Sequence, residues 1–213
     1  VEIPVRTPLH WDAEHPNLYT LEASVIEGDQ VLETLSRAIG FREIEQRGNQ
    51  LFVNGKEVKL RGIWGGNSVA GLKALNANHT RQLWVTESFL DDADRLGLYV
   101  LDENPIDFAK YGAESDSRYA SQWLELTSGL IERDRTHPSV IIWGLDNESF
   151  NGANVLKAFK YARAEDPQRP VFASWANRVP VDQELPYTIY SSHYPDLNDP
   201  NLNLGDYMVA KWH

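Results

Sequence analysis

The chain has 213 residues, of which 42% are hydrophobic and 24% charged, with a formal net charge of -11 and no cysteine. This composition argues against a disordered chain and excludes disulfides and thiolate chemistry, and no apolar run approaches the roughly 20 residues that a membrane helix needs. The acidity opposes phosphate backbones and anionic lipid, so nucleic acid and membrane surfaces are not expected partners.

Alternating apolar and polar residues over 18–25 predict a strand with one buried face. A turn at Glu27-Gly28-Asp29 leads into a second extended stretch over 31–41. Two strands are too few for a sandwich and read as the last strands of one. Asn54-Gly55 between apolar runs predicts a hairpin, because both residues tolerate positive φ. From Val58 the rhythm changes to strands alternating with helices, the pattern of a parallel sheet. Strands are predicted over 58–63, 79–84, 98–101, 139–143, 171–175 and 188–192, and helices over 71–75, 86–96, 117–135 and 153–165. Gly97 stops the second helix. No glycine-rich phosphate loop follows a strand, which disfavours a nucleotide fold. Six strands suit a doubly wound sheet or most of an eight-stranded barrel.

In a barrel of this kind the chemistry lies where strands end. Those ends carry Trp64, Trp84, Asp102-Glu103, Asn147-Glu148, Trp175 and His193-Tyr194. Carboxylates, an amide, a phenol and indoles with few cations suit a neutral polyol. Glu148 closes a buried strand, where partial desolvation is expected to raise its pKa and fit it to donate a proton. Asn147 beside it can bond a substrate hydroxyl. The alternative is that Asn147, Glu148 and Ser149 cap the next helix. His137, ahead of Pro138 at the opposite end of the strands, reads as structural, and the other histidines have no metal-ligand spacing.

The run Arg133-Asp134-Arg135-Thr136-His137-Pro138-Ser139, continuing through Val140-Ile141-Ile142-Trp143-Gly144-Leu145-Asp146-Asn147-Glu148-Ser149, resembles the acid/base signature of family 2 glycoside hydrolases. Gly40-Phe41-Arg42-Glu43-Ile44 is similar to that family's junction between an immunoglobulin-like sandwich and its barrel. Residues 51–62, 89–103 and Asp166-Pro167-Gln168-Arg169-Pro170 resemble further parts of it. The resemblance implies an α/β fold: an incomplete (β/α)8 barrel, strands one to six over 43–213, preceded over 1–42 by the end of the sandwich.

It further implies a retaining exo-β-glycosidase that removes a terminal β-linked sugar with two carboxylates about 5–5.5 Å apart. Glu148 matches the general acid/base, Asn147 the residue that holds the sugar 2-hydroxyl, and Tyr194 a tyrosine that bonds the nucleophile. Arg81 matches the arginine of the second strand. His193 is a candidate sugar contact, and Trp84 a candidate stacking platform. The family's nucleophile is a Glu on the seventh strand. No Glu follows Glu184, so the nucleophile is expected beyond His213 and the 213-residue chain is expected to be inactive alone. Two departures stand out. Trp64-Gly65-Gly66 and Gln82-Leu83-Trp84 replace segments in which the family carries histidines. Asp107 and Ala109 stand where magnesium-dependent members have Glu and His, so no metal and no cofactor is expected. An endo-β-glycanase of related fold and a non-catalytic carbohydrate-binding relative remain alternatives.

Overall fold

The computed structural model describes residues 3–48, 50–83, 85–174 and 189. An antiparallel ribbon comes first, with β1 (Tyr19–Glu27) paired to β2 (Gln30–Ile39) and a bulge between Val25 and Ile26. A small antiparallel sheet follows, from β3 (Ile44–Arg47), β4 (Gln50–Val53) and β5 (Lys56–Val58). Its second turn is the expected hairpin, with Asn54 at φ 53° and Gly55 at φ 74°.

The strands β6 (Gly62–Trp64), β7 (His79–Leu83), β8 (Tyr99–Glu103), β9 (Val140–Gly144) and β10 (Val171–Phe172) then form one parallel sheet in sequence order. The crossovers carry α1 (Val69–Ala74), α2 (Glu87–Leu96), α3 (Ala120–Asp134) and α4 (Ala153–Glu165). A parallel bridge from Phe172 to Ile189 adds a point of sixth-strand pairing. The architecture is an open (β/α)8 barrel preceded by antiparallel strands of a sandwich. No helix among the described residues is long and apolar enough to cross a membrane.

Strands β8 and β9 are buried at every position, as parallel strands covered on both faces must be. One core lies between sheet and helices, around Leu90, Val100, Trp123, Ile131, Trp143, Val155 and Ala162. The other joins Leu101, Ile142 and Phe172 of the sheet to Ile44, Leu51 and Val53 of the small sheet, with Trp11. Trp11 stands edge-on to Tyr99, with ring centroids 5.9 Å apart, and its indole N–H donates to the Asp94 carbonyl at 2.8 Å. The small sheet therefore closes the end at which β8 and β9 begin.

The segment after β2 is tied to that same end. Arg42 Nε donates to the Pro138 carbonyl at 2.5 Å, and Nη2 to that of Val140 at 2.8 Å. Arg169 Nε donates to the same Val140 carbonyl at 2.8 Å. His137 is structural, as expected. Its Nδ1 lies 2.6 Å from Asp94 Oδ2, Arg37 Nη2 of β2 lies 3.2 Å from its Nε2, and Asp94 Oδ1 accepts from Ser139 N–H at 2.9 Å. Asp91 lies close enough to complete a trio of potential ligand atoms with Asp94 and His137, but both ring nitrogens already have protein partners.

Three elements differ from expectation. The predicted strand over 58–63 divides, because Asn78 intervenes: its Oδ1 accepts from Arg61 N–H at 2.6 Å and its Nδ2 donates to the Lys59 carbonyl at 2.9 Å. Val58 stays in the hairpin and only Gly62–Trp64 joins the barrel. The predicted helix over 117–135 begins with a 3-10 turn at Ser117–Tyr119, where Asp116 Oδ1 accepts from Arg118 N–H at 2.9 Å. The ribbon β1–β2 is not half-buried. Leu21, Val25 and Leu35 lie exposed although their alternation marks a face that needs cover.

Candidate active site

The site begins with the way β9 ends. After the apolar Val140–Gly144 and buried Leu145, the chain carries Asp146, Asn147 and Glu148 at the C-terminal edge of the sheet. Asn147 still continues the sheet. It forms a parallel bridge with Asp107, its N–H donates to the Ile106 carbonyl at 2.8 Å, and its carbonyl accepts from Phe108 N–H at 2.9 Å. The backbone then turns, and Glu148 takes φ 45°, a left-handed conformation uncommon for a residue with a side chain.

These residues do not cap the next helix. The N-cap of α4 is Gly152, and Ser149 Oγ accepts instead from Ala109 N–H at 3.0 Å. The capping alternative is set aside on this geometry.

Arg81, at the centre of β7, reaches across to two neighbours. Nε lies 2.5 Å from Glu103 Oε2, and Nη2 lies 2.8 Å from Glu103 Oε1 and 2.7 Å from Asn147 Oδ1. Asn147 Nδ2 donates to Asp107 Oδ1 at 2.8 Å. The Asn147 side chain is thus held from both ends, by a guanidinium on its oxygen and a carboxylate on its nitrogen. The Arg81 guanidinium also lies 5.0 Å from the centroid of the Phe172 ring.

The electrostatics of this end are those of buried carboxyls. Burial lifts Glu103 to about 7 against the pull of Arg81. Burial also holds Asp146 well above the usual carboxylate range, and its Oδ1 accepts from Ser174 N–H at 2.8 Å. Ser174 Oγ in turn accepts from Glu148 N–H at 2.9 Å. On the helix side of β8, burial together with the neighbouring Asp134 raises Asp102 in the same way. Arg133 pairs with Asp134 through Nε, at 2.8 Å, and through Nη2, at 2.5 Å.

Of the residues singled out in the sequence, Arg81 and Asn147 meet here through a side-chain hydrogen bond, and Glu148 follows Asn147 in the chain. Trp84, His193 and Tyr194 lie outside the described residues. The sequence offers Glu103 only as a polar strand end and gives no role to Asp146 or Ser174. Ser174 meets Glu148 across 26 positions, a pairing that no local spacing announces. Asp107 accepts from Asn147 and Ala109 has no side-chain ligand atom, so these positions keep a carboxylate but do not reproduce the Glu and His pair of the magnesium-dependent members.

Comparison with known proteins adds an independent line. A family model described as "Glycosyl hydrolases family 2, TIM barrel domain" matches residues 66–212, and one described as "Glycosyl hydrolases family 2" matches residues 1–42. A β-galactosidase of Enterobacter cloacae is 35% identical over 239 residues, covering 100% of this chain and 23% of the relative. A β-galactosidase of Pseudoalteromonas haloplanktis is 32% identical over 235 residues, covering 99% of this chain and 22% of the relative. The chain thus spans less than a quarter of the length of these curated relatives. Among solved structures, the β-glucuronidase of Parabacteroides merdae superimposes with a TM-score of 0.70 at 26% identity, covering 79% of this chain and 24% of the other. A family 2 glycosyl hydrolase of Bacteroides cellulosilyticus gives 0.67 at 29% identity, covering 79% and 26%.

Proposed function

The chain belongs to glycosyl hydrolase family 2, and we propose that it carries the acid/base half of a retaining exo-β-glycosidase site, with Glu148 as the general acid/base. The observation that carries this reading is the Asn147-Glu148 pair at the C-terminal edge of the fourth barrel strand, with the Asn147 amide clamped by Arg81 and Asp107. The β-galactosidase relatives support a β-linked sugar as the substrate.

Glu148 donates its proton to the glycosidic oxygen as the leaving group departs, and in the second step it takes a proton from the attacking water. The two steps need one carboxyl in alternating protonation states. Asn147 holds the sugar 2-hydroxyl. Its amide nitrogen carries two hydrogens, Asp107 accepts one, and the other is directed to the substrate. Arg81 contributes by fixing the Asn147 carbonyl, so that the amide cannot flip. Tyr194 bonds the nucleophilic carboxylate, His193 contacts the sugar and Trp84 offers a stacking face. The nucleophile is assigned to no described residue. No step is routed through a metal. In this reading residues 1–42 end the sandwich and residues 43–213 belong to the barrel, and the two family matches fall on either side of that division.

The stereochemistry of the first-formed product tests the double displacement. The intact protein is mixed with an aryl β-galactoside in deuterated buffer and the anomeric proton is followed by NMR. The β-hemiacetal is expected first, with mutarotation to α later. An α-hemiacetal appearing first would exclude the retaining mechanism.

A further inference from the structure

Asp146 is a buried carboxyl that the acid/base reading does not use. It is 1% exposed and lies two residues before Glu148. Its Oδ1 accepts from Ser174 N–H at 2.8 Å, and Ser174 Oγ accepts from Glu148 N–H at 2.9 Å. Two hydrogen bonds thus connect the buried carboxyl to the peptide that turns Glu148 out of the strand. That peptide is the one at φ 45°, a conformation that persists only where the surroundings hold it.

We propose that Asp146 is a positioning residue for Glu148, acting through Ser174 to hold its backbone in the left-handed conformation. The proposal rests on Glu148 being the acid/base. Ser174 lies on the neighbouring strand's exit, so its hydroxyl is placed only if its own peptide is anchored, and Asp146 Oδ1 is the anchor. Asp146 Oδ2 has no partner among the described residues. A carboxyl left half-satisfied in a dry place is costly, and a small apolar residue there would avoid that cost. Burial favours the neutral acid; the Ser174 N–H and the Arg81 charge act against it and the Glu103 charge with it. A neutral carboxyl keeps one carbonyl-like oxygen as acceptor, and that oxygen is all the chain of bonds requires.

Three substitutions in the intact protein test this. Ser174→Ala removes the acceptor of the Glu148 N–H, Asp146→Leu removes the anchor of Ser174, and Asp146→Asn keeps that anchor oxygen. Amide hydrogen exchange at Glu148 is measured by NMR, beside kcat/KM on glycosides with poor and with good leaving groups. S174A and D146L are each expected to speed Glu148 amide exchange at least tenfold. Each is expected to lower kcat/KM at least tenfold for an alkyl glycoside and less than threefold for a dinitrophenyl glycoside. The double variant is expected to be no worse than either single one, and D146N to recover most of the rate that D146L loses. Unchanged Glu148 amide exchange in S174A, or damage by D146N equal to that by D146L, would overturn the proposal. If D146L does not fold, S174A and D146N decide. The exchange readout needs no turnover. Full activity of a Glu148→Gln variant would therefore remove the acid/base assignment while Glu148 amide protection still reported on the Asp146–Ser174 link.

Discussion

Arg81 and Glu103 form a two-point ion pair inside the barrel mouth, with Nε 2.5 Å from Oε2 and Nη2 2.8 Å from Oε1, and the Glu103 side chain has no exposure to solvent. The same Nη2 reaches Asn147. The pair therefore links β7 and β8 to the first residue of the proposed catalytic dyad. A planar fork makes these three contacts at once, and an ammonium cannot. Arg81→Lys should cost about 2 kcal/mol in urea unfolding and lower kcat/KM about tenfold as the Asn147 amide loses its fixed orientation. A lysine variant equal to the parent in both measurements would show that the fork is not needed.

Glu103 gives a pH dependence of defined sign. Burial raises it from an ordinary 4.5 to about 7. Between those values the folded protein keeps a proton that the unfolded chain has lost. Its contribution to stability is therefore full below about 4.5, declines as pH rises and is gone above about 7, a change of about 3 kcal/mol. Glu103→Gln cannot titrate. Urea unfolding of both proteins across this range should show the parent losing stability relative to E103Q as pH rises. Parallel curves would contradict the assignment.

Two glycines predict opposite effects. Gly97 ends α2 at φ 77°, and a Cβ there would lie 2.2 Å from the Ala13 carbonyl oxygen. Gly97→Ala should cost more than about 2 kcal/mol through backbone strain and the displaced segment at Ala13. Gly129 lies inside α3 with no atom within 4 Å of an added Cβ, and Gly129→Ala should gain about 0.5–1 kcal/mol. Thermal unfolding of the two variants checks both signs.

The fold was legible where local chemistry alone decides it. Gly97 ends α2, and Asn54-Gly55 makes the turn between β4 and β5. Reading failed where a distant side chain replaces backbone pairing. Asn78 splits the run over 58–63 from 15 to 20 residues away, and periodicity carries no trace of that. The exposed ribbon β1–β2 shows another limit: alternation says that a face wants cover without saying whether this chain supplies it.

The proposed dyad was legible because polar residues follow a wholly apolar strand. Its supports were not. Arg81 comes from β7, Glu103 and Asp107 from the end of β8 and the segment after it, and Ser174 from the exit of β10; Arg81 and Asp107 meet Asn147, Ser174 meets Glu148 and Glu103 holds Arg81 only because the parallel sheet sets these ends side by side. Resemblance marks Arg81 and Asp107, Glu103 stands out only as a polar strand end, and nothing in the sequence marks Ser174.

The most direct test of the account is the leaving-group dependence of Glu148→Gln in the intact protein. General acid catalysis is worth about 10²–10⁴-fold when the departing oxygen needs a proton, and little when it leaves as a stable phenolate. On an alkyl or disaccharide β-glycoside, kcat/KM should fall by about that factor, while on the dinitrophenyl glycoside of the same sugar it should fall less than about threefold. An equal loss on both substrates, or none on either, would contradict Glu148 as the acid/base.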